Sequence, residues 1–98
     1  MVEMSWTVES ERWLRDIHDY ISQDSPAAAQ KVVRGIYDRA QILAEFSEIG
    51  HRYRLELDGE IRILLYGHYR IAYLLKKDKN VAILGVFHGA LDIDKYLP

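Results

Sequence analysis

The sequence predicts an α+β fold: one N-terminal strand, an antiparallel helical hairpin, and then a three- to four-stranded antiparallel sheet. Three observations support this prediction. Apolar residues recur at helical spacing over residues 13–43, alternate with polar residues over 53–75, and form a continuous run over 81–87. Because both helices precede all but one strand, we expect the hairpin to pack on one face of the sheet. The 98 residues suffice for a single domain, residues 1–98, with one hydrophobic core.

Composition and charge exclude several classes of protein. The chain has no cysteine, so disulfide frameworks and thiolate metal sites are excluded, and we expect neither a metal nor a cofactor. Its formal net charge is −2, whereas proteins that bind nucleic acid unaided usually carry a positive excess. No stretch approaches the roughly 18 apolar residues of a membrane span. The N-terminus lacks the basic and apolar regions of a secretory signal, so a cytoplasmic location with no membrane partner is expected.

The first strand and the first helix are predicted from residues 6–21. Trp6, Thr7 and Val8 form a short β-prone run that ends at Glu9. Ser10 is the predicted N-cap of the first helix. The apolar stripe of that helix consists of Trp13, Leu14, Ile17, Tyr20 and Ile21.

The second helix begins with a strong signal, a capping serine at Ser25 followed by a proline at Pro26. It is expected to end near Phe46 or Ser47. Gly35, inside this helix, costs up to about 1 kcal/mol relative to alanine. Either it marks a close contact with the first helix or it is simply a weak point. The apolar stripe consists of Ala29, Val32, Val33, Ile36, Ala40 and Leu43.

The first hairpin of the sheet follows Gly50. Tyr53, Leu55 and Leu57 alternate with charged residues and are predicted to lie on the apolar face. The pair Asp58-Gly59 is a hairpin turn signal. A two-residue turn would place Arg62 on the same face as the two leucines. A three-residue turn over 58–60 is preferred, because it aligns a second apolar set with that face: Ile61, Ile63 and Leu65.

The last two strands are predicted over residues 69–76 and 81–87. The first alternates, whereas the second is continuously apolar, which is typical of a strand in the interior of a sheet. Polar residues 77–80 form the turn between them. His88-Gly89 ends the last strand, and residues 91–98 form a tail that is either one helical turn or an edge segment.

Several stretches of this chain, taken in order, resemble the RelE/ParE superfamily of bacterial toxins. They are residues 13–21, the opening Ser25-Pro26-Ala27-Ala28-Ala29 of the second helix, residues 49–52, Arg62, residues 69–73 and residues 81–89. The superfamily acts in type II toxin–antitoxin systems and in plasmid stabilisation. The resemblance implies a toxin that disables one host target until a cognate antitoxin wraps it.

The superfamily has two branches, and the resemblance implies a different activity for each. Resemblance to the RelE-like branch implies cleavage of ribosome-bound mRNA. Attack of a 2′-hydroxyl on its neighbouring phosphate requires a base, a cation that stabilises the phosphorane, and an acid. In this sequence Arg70 matches the arginine of the family's Tyr-Arg segment, and Tyr96 is the candidate for its C-terminal tyrosine. His88 is a candidate base, because histidine titrates near neutral pH. The alternative is that His88 is a hydrogen-bonded structural residue.

Two features depart from the RelE-like pattern. That branch carries lysines on its middle strands, but this chain has no lysine between Lys31 and Lys76. It also carries an arginine after the last strand, where this chain reads Gly89-Ala90-Leu91. We therefore favour no residue as catalytic.

Resemblance to the other branch, the ParE-like toxins, implies poisoning of DNA gyrase. The ending Phe87-His88-Gly89-Ala90-Leu91-Asp92-Ile93, followed by Tyr96-Leu97, resembles the ending of that branch. The ParE-like interpretation is favoured, and gyrase is the expected target. The mRNA endonuclease remains an alternative. A degenerate member that binds its antitoxin without toxicity is another, which the acidic net charge permits.

Seven residues are the candidates for contact with a target or an antitoxin. Arg62 and Arg70 lie on strands whose alternate residues are apolar, so their side chains are predicted to point off the main core face. For Arg62 the alternative is a cross-strand ion pair with Glu56. The other candidates lie at the end of the chain: His88, Leu91, Asp92, Tyr96 and Leu97.

The expected partner is a cognate antitoxin of the ParD-like or a similar kind. A small domain of this architecture has a groove between sheet and helices and an open sheet edge. An amphipathic segment of the antitoxin can cover either of them. Operator DNA is then reached only indirectly, through the antitoxin.

Overall fold

A computed structural model describes residues 2–89 and 91–97 of the chain. Ala90, part of the ending identified above, lies outside the described residues, as do Met1 and Pro98. The elements are β1 (Met4–Trp6), α1 (Val8–Ser22), α2 (Pro26–Gln41), a 3₁₀ turn (Ile42–Ala44), β2 (His51–Glu56), β3 (Gly59–Tyr66), β4 (Tyr69–Lys76), β5 (Val81–His88) and a second 3₁₀ turn (Ile93–Lys95). The predicted order of one strand, two helices and a sheet is confirmed.

All five strands belong to one sheet, in the order β1-β5-β4-β3-β2. The sheet is mixed, because β1 pairs with β5 in parallel whereas the other neighbours are antiparallel. The interior position predicted for the last strand is confirmed, since β5 lies between β1 and β4. β1 pairs only with Val81, Ala82 and Ile83. In the described part of the chain, the second half of β5 therefore has a strand neighbour on one side only.

The start of α1 differs from the prediction. The strand ends at Trp6 and the helix begins at Val8, so Thr7 is the N-cap. Its hydroxyl oxygen accepts the Ser10 N–H at 3.1 Å and donates to the carbonyl of Ile83 at 2.9 Å. Ser10, the predicted cap, is instead buried in the first turn. Either residue type can cap a helix, and the bond to β5 selected Thr7.

The predicted start of α2 is confirmed, because the Ser25 hydroxyl accepts the Ala28 N–H at 3.1 Å and Pro26 is the first helical residue. The α-helix ends at Gln41, earlier than predicted, and the chain continues as a 3₁₀ turn. Neither α1 nor α2 is long and apolar enough to span a bilayer, and the same holds for every other helix in residues 2–89 and 91–97.

Gly35 marks a close contact, but with the sheet rather than with α1. A methyl group added at Gly35 would collide with the hydroxyl and the ring of Tyr66 on β3. We therefore expect Gly35→Ala to destabilise the fold by about 1–3 kcal/mol through overpacking, although alanine is the better helix former. Urea unfolding measures this change. In a Tyr66→Phe background the cost should shrink, because the hydroxyl is gone; an unchanged or increased stability of the single variant would contradict the contact.

The larger cluster of the core lies on the face of the sheet covered by the helices, here called the hairpin face. Ile36, Ala40 and Leu43 from the helical segment pack there against sheet residues. The sheet residues are Leu64, Ile71, Tyr73, Leu75, Val81, Ile83 and Val86. Burial of this many aliphatic and aromatic side chains is the main stabilising contribution to a chain without disulfides.

The opposite side of the sheet, here called the tail face, is also partly covered. Ile63, Ala72 and Phe87 form a second buried cluster with Ile93, which follows the last strand. Leu91 and Leu97 pack against this cluster. The sequence predicted a tail here but not that it would cover a second core.

The prediction for β2 is wrong in its register. The hairpin has a two-residue turn, Leu57-Asp58, because Glu56 pairs with Gly59. Leu55 therefore lies opposite Glu60 and is 68% exposed, while Leu57 is 93% exposed. β2 is an edge strand that the helices do not cover.

The apolar set predicted to align with the leucines lies elsewhere. Ile61 and Ile63 are buried, and Ile63 belongs to the tail-face cluster. Leu65 is 55% exposed. Arg62 lies on the same face as Leu55, as the unfavoured two-residue turn implied, but the turn is Leu57-Asp58 rather than the signalled Asp58-Gly59.

Candidate functional site

Arg62 does not point off the main core face, as was predicted, but lies at the margin of the hairpin face. It pairs across the sheet with Tyr73, a member of the hairpin-face core. Its Nη1 donates to the carbonyl oxygens of Glu48 and Gly50, at 2.8 and 2.6 Å. Its ion-pair partner is Glu60, at 2.7 Å, rather than Glu56. The side chain is 13% exposed, so it holds the loop before β2 in place.

Two groups reinforce this loop. The Tyr73 hydroxyl donates to the carbonyl of Ser47 at 2.7 Å and accepts the Gly50 N–H at 3.0 Å. Burial raises the pKa of this hydroxyl. Glu60 accepts hydrogen bonds from both Arg62 and Arg52, and the bond from Arg62 above all lowers its pKa. The cluster is a structural tie between loop and sheet.

Arg70 lies on the tail face, opposite Phe87 in the register. Its Nη2 donates to the carbonyl of Leu91 at 2.6 Å and, more weakly, to that of Gly89 at 3.4 Å. As predicted, the side chain points away from the helices. It contacts the end of the chain, however, and not open solvent.

Residues 91–97, here called the C-terminal segment, are held on the tail face by further contacts. Ile93 is buried. The Tyr53 hydroxyl donates to Asp94 at 2.5 Å, and this bond raises its pKa. The Tyr96 ring packs edge-on against Trp13, with centroids 5.1 Å apart. The segment is therefore a folded part of the domain.

The C-terminal segment nevertheless presents polar and aromatic groups to solvent. Asp92 is exposed, and Tyr96 is 49% exposed. Leu91 and Leu97 are half-buried, with the rest of each side chain accessible. A segment that is both anchored and exposed can contact another protein without first becoming ordered, which reduces the entropic cost of binding.

His88 ends β5 on the other face of the sheet. It pairs with Tyr69, whose ring lies edge-on at 5.8 Å, and its own ring stacks at 6.4 Å from that of His68. Neighbouring strand residues point to opposite faces, so His88 and Tyr69 lie on the hairpin face whereas Arg70 lies on the tail face. The structure does not gather Arg70, His88 and Tyr96 around one point.

A cleft of about 360 Å³ opens between α1 and the ends of β4 and β5. It exists because β1 covers only the first half of β5, so that α1 lies along the second half. We call this cavity the α1 cleft. It is lined by Trp13, Asp16, Ile17, Tyr20, Tyr69, Val86, His88 and Leu91. The lining is mostly apolar, with one carboxylate and one imidazole.

Most of the cleft residues were not predicted as functional. Tyr20 was assigned to the apolar stripe of α1 but is 76% exposed. The signal that could have identified it is its position near the end of α1, where the sheet no longer covers the stripe. Concave, mostly apolar sites with a few polar groups are typical of binding sites. Across residues 2–89 and 91–97, no three His, Asp or Glu side chains are grouped so as to hold a metal ion.

Comparison with known proteins relates the chain to one family of toxins. The model for the ParE toxin of the type II toxin–antitoxin system parDE matches residues 4–93. "Putative toxin Y4kP" of Sinorhizobium fredii is 36% identical over 84 residues, which cover 86% of this chain and 84% of that protein. The residues matched by the family model, 4–93, include the lining of the α1 cleft and the first residues of the C-terminal segment.

Two solved structures have a similar fold. One, the chromosomal ParDE system from P. aeruginosa, superposes with a TM-score of 0.73 at 24% identity, covering 90% of this chain and 96% of that one. The other, the toxin–antitoxin complex RelBE2 from Mycobacterium tuberculosis, gives a TM-score of 0.57 at 24% identity, covering 89% and 96%. At this identity the similarity shows the fold.

Proposed function

The chain belongs to the ParE toxin family of type II toxin–antitoxin systems, and on that premise we propose that it poisons DNA gyrase until a cognate antitoxin binds it. The observation that carries the proposal is the C-terminal segment, which is anchored on the tail face yet exposes Asp92 and Tyr96. This geometry suits a protein that acts by binding. The target then contacts this segment.

The endonuclease alternative has less support in the geometry. The guanidinium of Arg70 donates to backbone carbonyls of the C-terminal segment. In an endonuclease that group would have to stabilise the charge of a phosphorane. His88 lies on the other face, and Tyr96 packs against Trp13 and Phe87. We therefore assign Arg70 as a positioning residue for the C-terminal segment.

The α1 cleft is the proposed docking site of the antitoxin. An amphipathic helix places apolar side chains at helical spacing, and such side chains fit a cleft walled by Trp13, Ile17 and Tyr20. Asp16 at the same site favours a partner segment that also carries a lysine or an arginine. A ParD-like or similar antitoxin is the expected partner, and operator DNA is contacted only through it.

Expression of the chain alone in bacteria tests the proposal. We expect growth arrest with filamentation, a DNA damage response and intact mRNA, together with accumulation of cleaved DNA in a purified gyrase assay. Truncated mRNA without DNA damage would instead support the endonuclease. Normal growth, with antitoxin binding retained, would indicate a degenerate member of the family.

A further inference from the structure

The free edge of β2 is unusually apolar for an exposed strand. Leu55 is 68% exposed and Leu57 is 93% exposed. Leu57 occupies a tight two-residue turn, where asparagine, aspartate and glycine are the usual residues. Within the described residues, the sheet ends at β2, so no strand covers its outer side. Apolar sheet edges of this kind are templates for pairing with another strand.

The charges along this edge are arranged about Leu55 in opposite signs. Residues 52–58 read Arg-Tyr-Arg-Leu-Glu-Leu-Asp. Both cations precede Leu55 and both anions follow it. An antiparallel pairing of this segment with an identical copy, centred on Leu55, sets Arg54 opposite Glu56 and Arg52 opposite Asp58. It also sets Leu55 opposite itself and Tyr53 opposite Leu57.

From this pattern we propose that β2 binds β2 of a second copy of the chain, in an antiparallel, two-fold symmetric pairing centred on Leu55. Opposite charges then face each other at the two Arg54–Glu56 pairs, and the two Leu55 side chains meet at the centre, which is the favourable arrangement across strands. A two-fold interface requires such self-complementarity. A parallel pairing would instead place the cations of one copy beside those of the other.

The side chains concerned are accessible to a second copy. Arg54 and Glu56 contact each other within the chain at 3.4 Å and are about one-third exposed. Arg52 contacts Glu60 and is 61% exposed. The bulge between Arg52 and Arg54 limits the regular part of the edge to residues 54–56 and the turn. The pairing is therefore short, and its centre at Leu55 is the best place to test it.

Disulfide trapping tests the centre of the interface directly, because the chain has no cysteine of its own. Leu55→Cys should form a disulfide-linked dimer at least about tenfold faster than Val8→Cys, since the pairing holds the two thiols at high effective concentration. Val8 is a matched control because it is 74% exposed and lies at the start of α1. Equal cross-linking rates for the two variants would overturn the proposal.

Charge exchange tests the register. Arg54→Glu and Glu56→Arg should each sediment with the mass of one chain, because like charges then face each other. An equimolar mixture should sediment with twice that mass, because both charge pairs are again opposite in the mixed dimer. A monomeric wild-type chain, or a mixture that stays monomeric while both variants show native circular dichroism, would refute the pairing. These readouts do not depend on gyrase or on the antitoxin, since they use the purified chain alone and the residues of β2 do not line the α1 cleft.

Discussion

Replacing Arg70 by glutamine is expected to release the C-terminal segment and to weaken target inhibition by about 10- to 100-fold. The bond from Nη2 of Arg70 to the carbonyl of Leu91 is 2.6 Å long and comes from a charged donor. Such bonds contribute about 1.5–3 kcal/mol, which corresponds to the stated change in affinity if the segment must be ordered to bind. Arg70→Lys should rescue in part, because lysine keeps the charge but not the planar fork.

Two measurements separate positioning from direct contact with the target. Trypsin should cut after Lys95 faster in Arg70→Gln than in the wild type, and inhibition of purified gyrase, the proposed target, should be weaker. Arg39→Gln is the matched control, because Arg39 also donates to a strand carbonyl, that of Leu65, at 3.3 Å, but holds no part of the C-terminal segment. If Arg70→Gln inhibits gyrase normally, or if Lys95 stays protected, the positioning role is wrong.

The second large effect is expected at the α1 cleft. Tyr20→Ala should weaken antitoxin binding by about 30-fold or more, because aromatic residues at the centre of an interface commonly contribute 2 kcal/mol or more. The stability of the isolated chain should change little, since Tyr20 is 76% exposed. Isothermal titration of the purified chain with a ParD-like antitoxin, the proposed partner, measures the effect.

Phe46→Ala is the control for this experiment. Phe46 is an aromatic residue of 57% exposure and lies outside the α1 cleft, so its replacement should leave the affinity unchanged. Equal losses for the two variants would mean that the cleft is not the docking site. Unchanged antitoxin affinity of Tyr20→Ala would likewise show that the antitoxin does not dock in the α1 cleft.

The sequence predicted the elements better than their contacts. Ser25 and Pro26 defined the start of α2 because capping acts over three or four residues, and the structure has the same cap. The apolar run over residues 81–87 predicted an interior strand, because a strand that is buried on both faces consists almost entirely of apolar residues. This signal, like the helix cap, is contained in a short stretch of sequence. The N-cap of α1 was predicted wrongly, because Thr7 and Ser10 are equally suitable by residue type. The hydrogen bond from Thr7 to Ile83, which favours Thr7, joins residues far apart in the sequence.

The candidate site was predicted in part. The structure brings Arg70 together with Leu91, as members of one assembly on the tail face. Arg62, by contrast, lies away from this assembly, and its guanidinium donates to the carbonyl of Gly50 and so supports the loop before β2. The sequence predicted a groove between sheet and helices, and it named His88 and Leu91, but it missed the other residues that line the α1 cleft. Those residues come from α1, β4 and β5, which are distant in sequence.

What the sequence determined by itself is the fold class, the positions of the helices and of the last three strands, and the resemblance to a toxin superfamily. These depend on periodicity and on motifs within short windows. Only the tertiary structure decided the register of β2, the face to which each arginine points, and the covering of the tail face. The bonds that decide them join residues 12 positions apart, for Arg62 and Gly50, and 21 apart, for Arg70 and Leu91. Because a shift of one residue in a strand reverses every side chain, no local pattern could have specified these contacts.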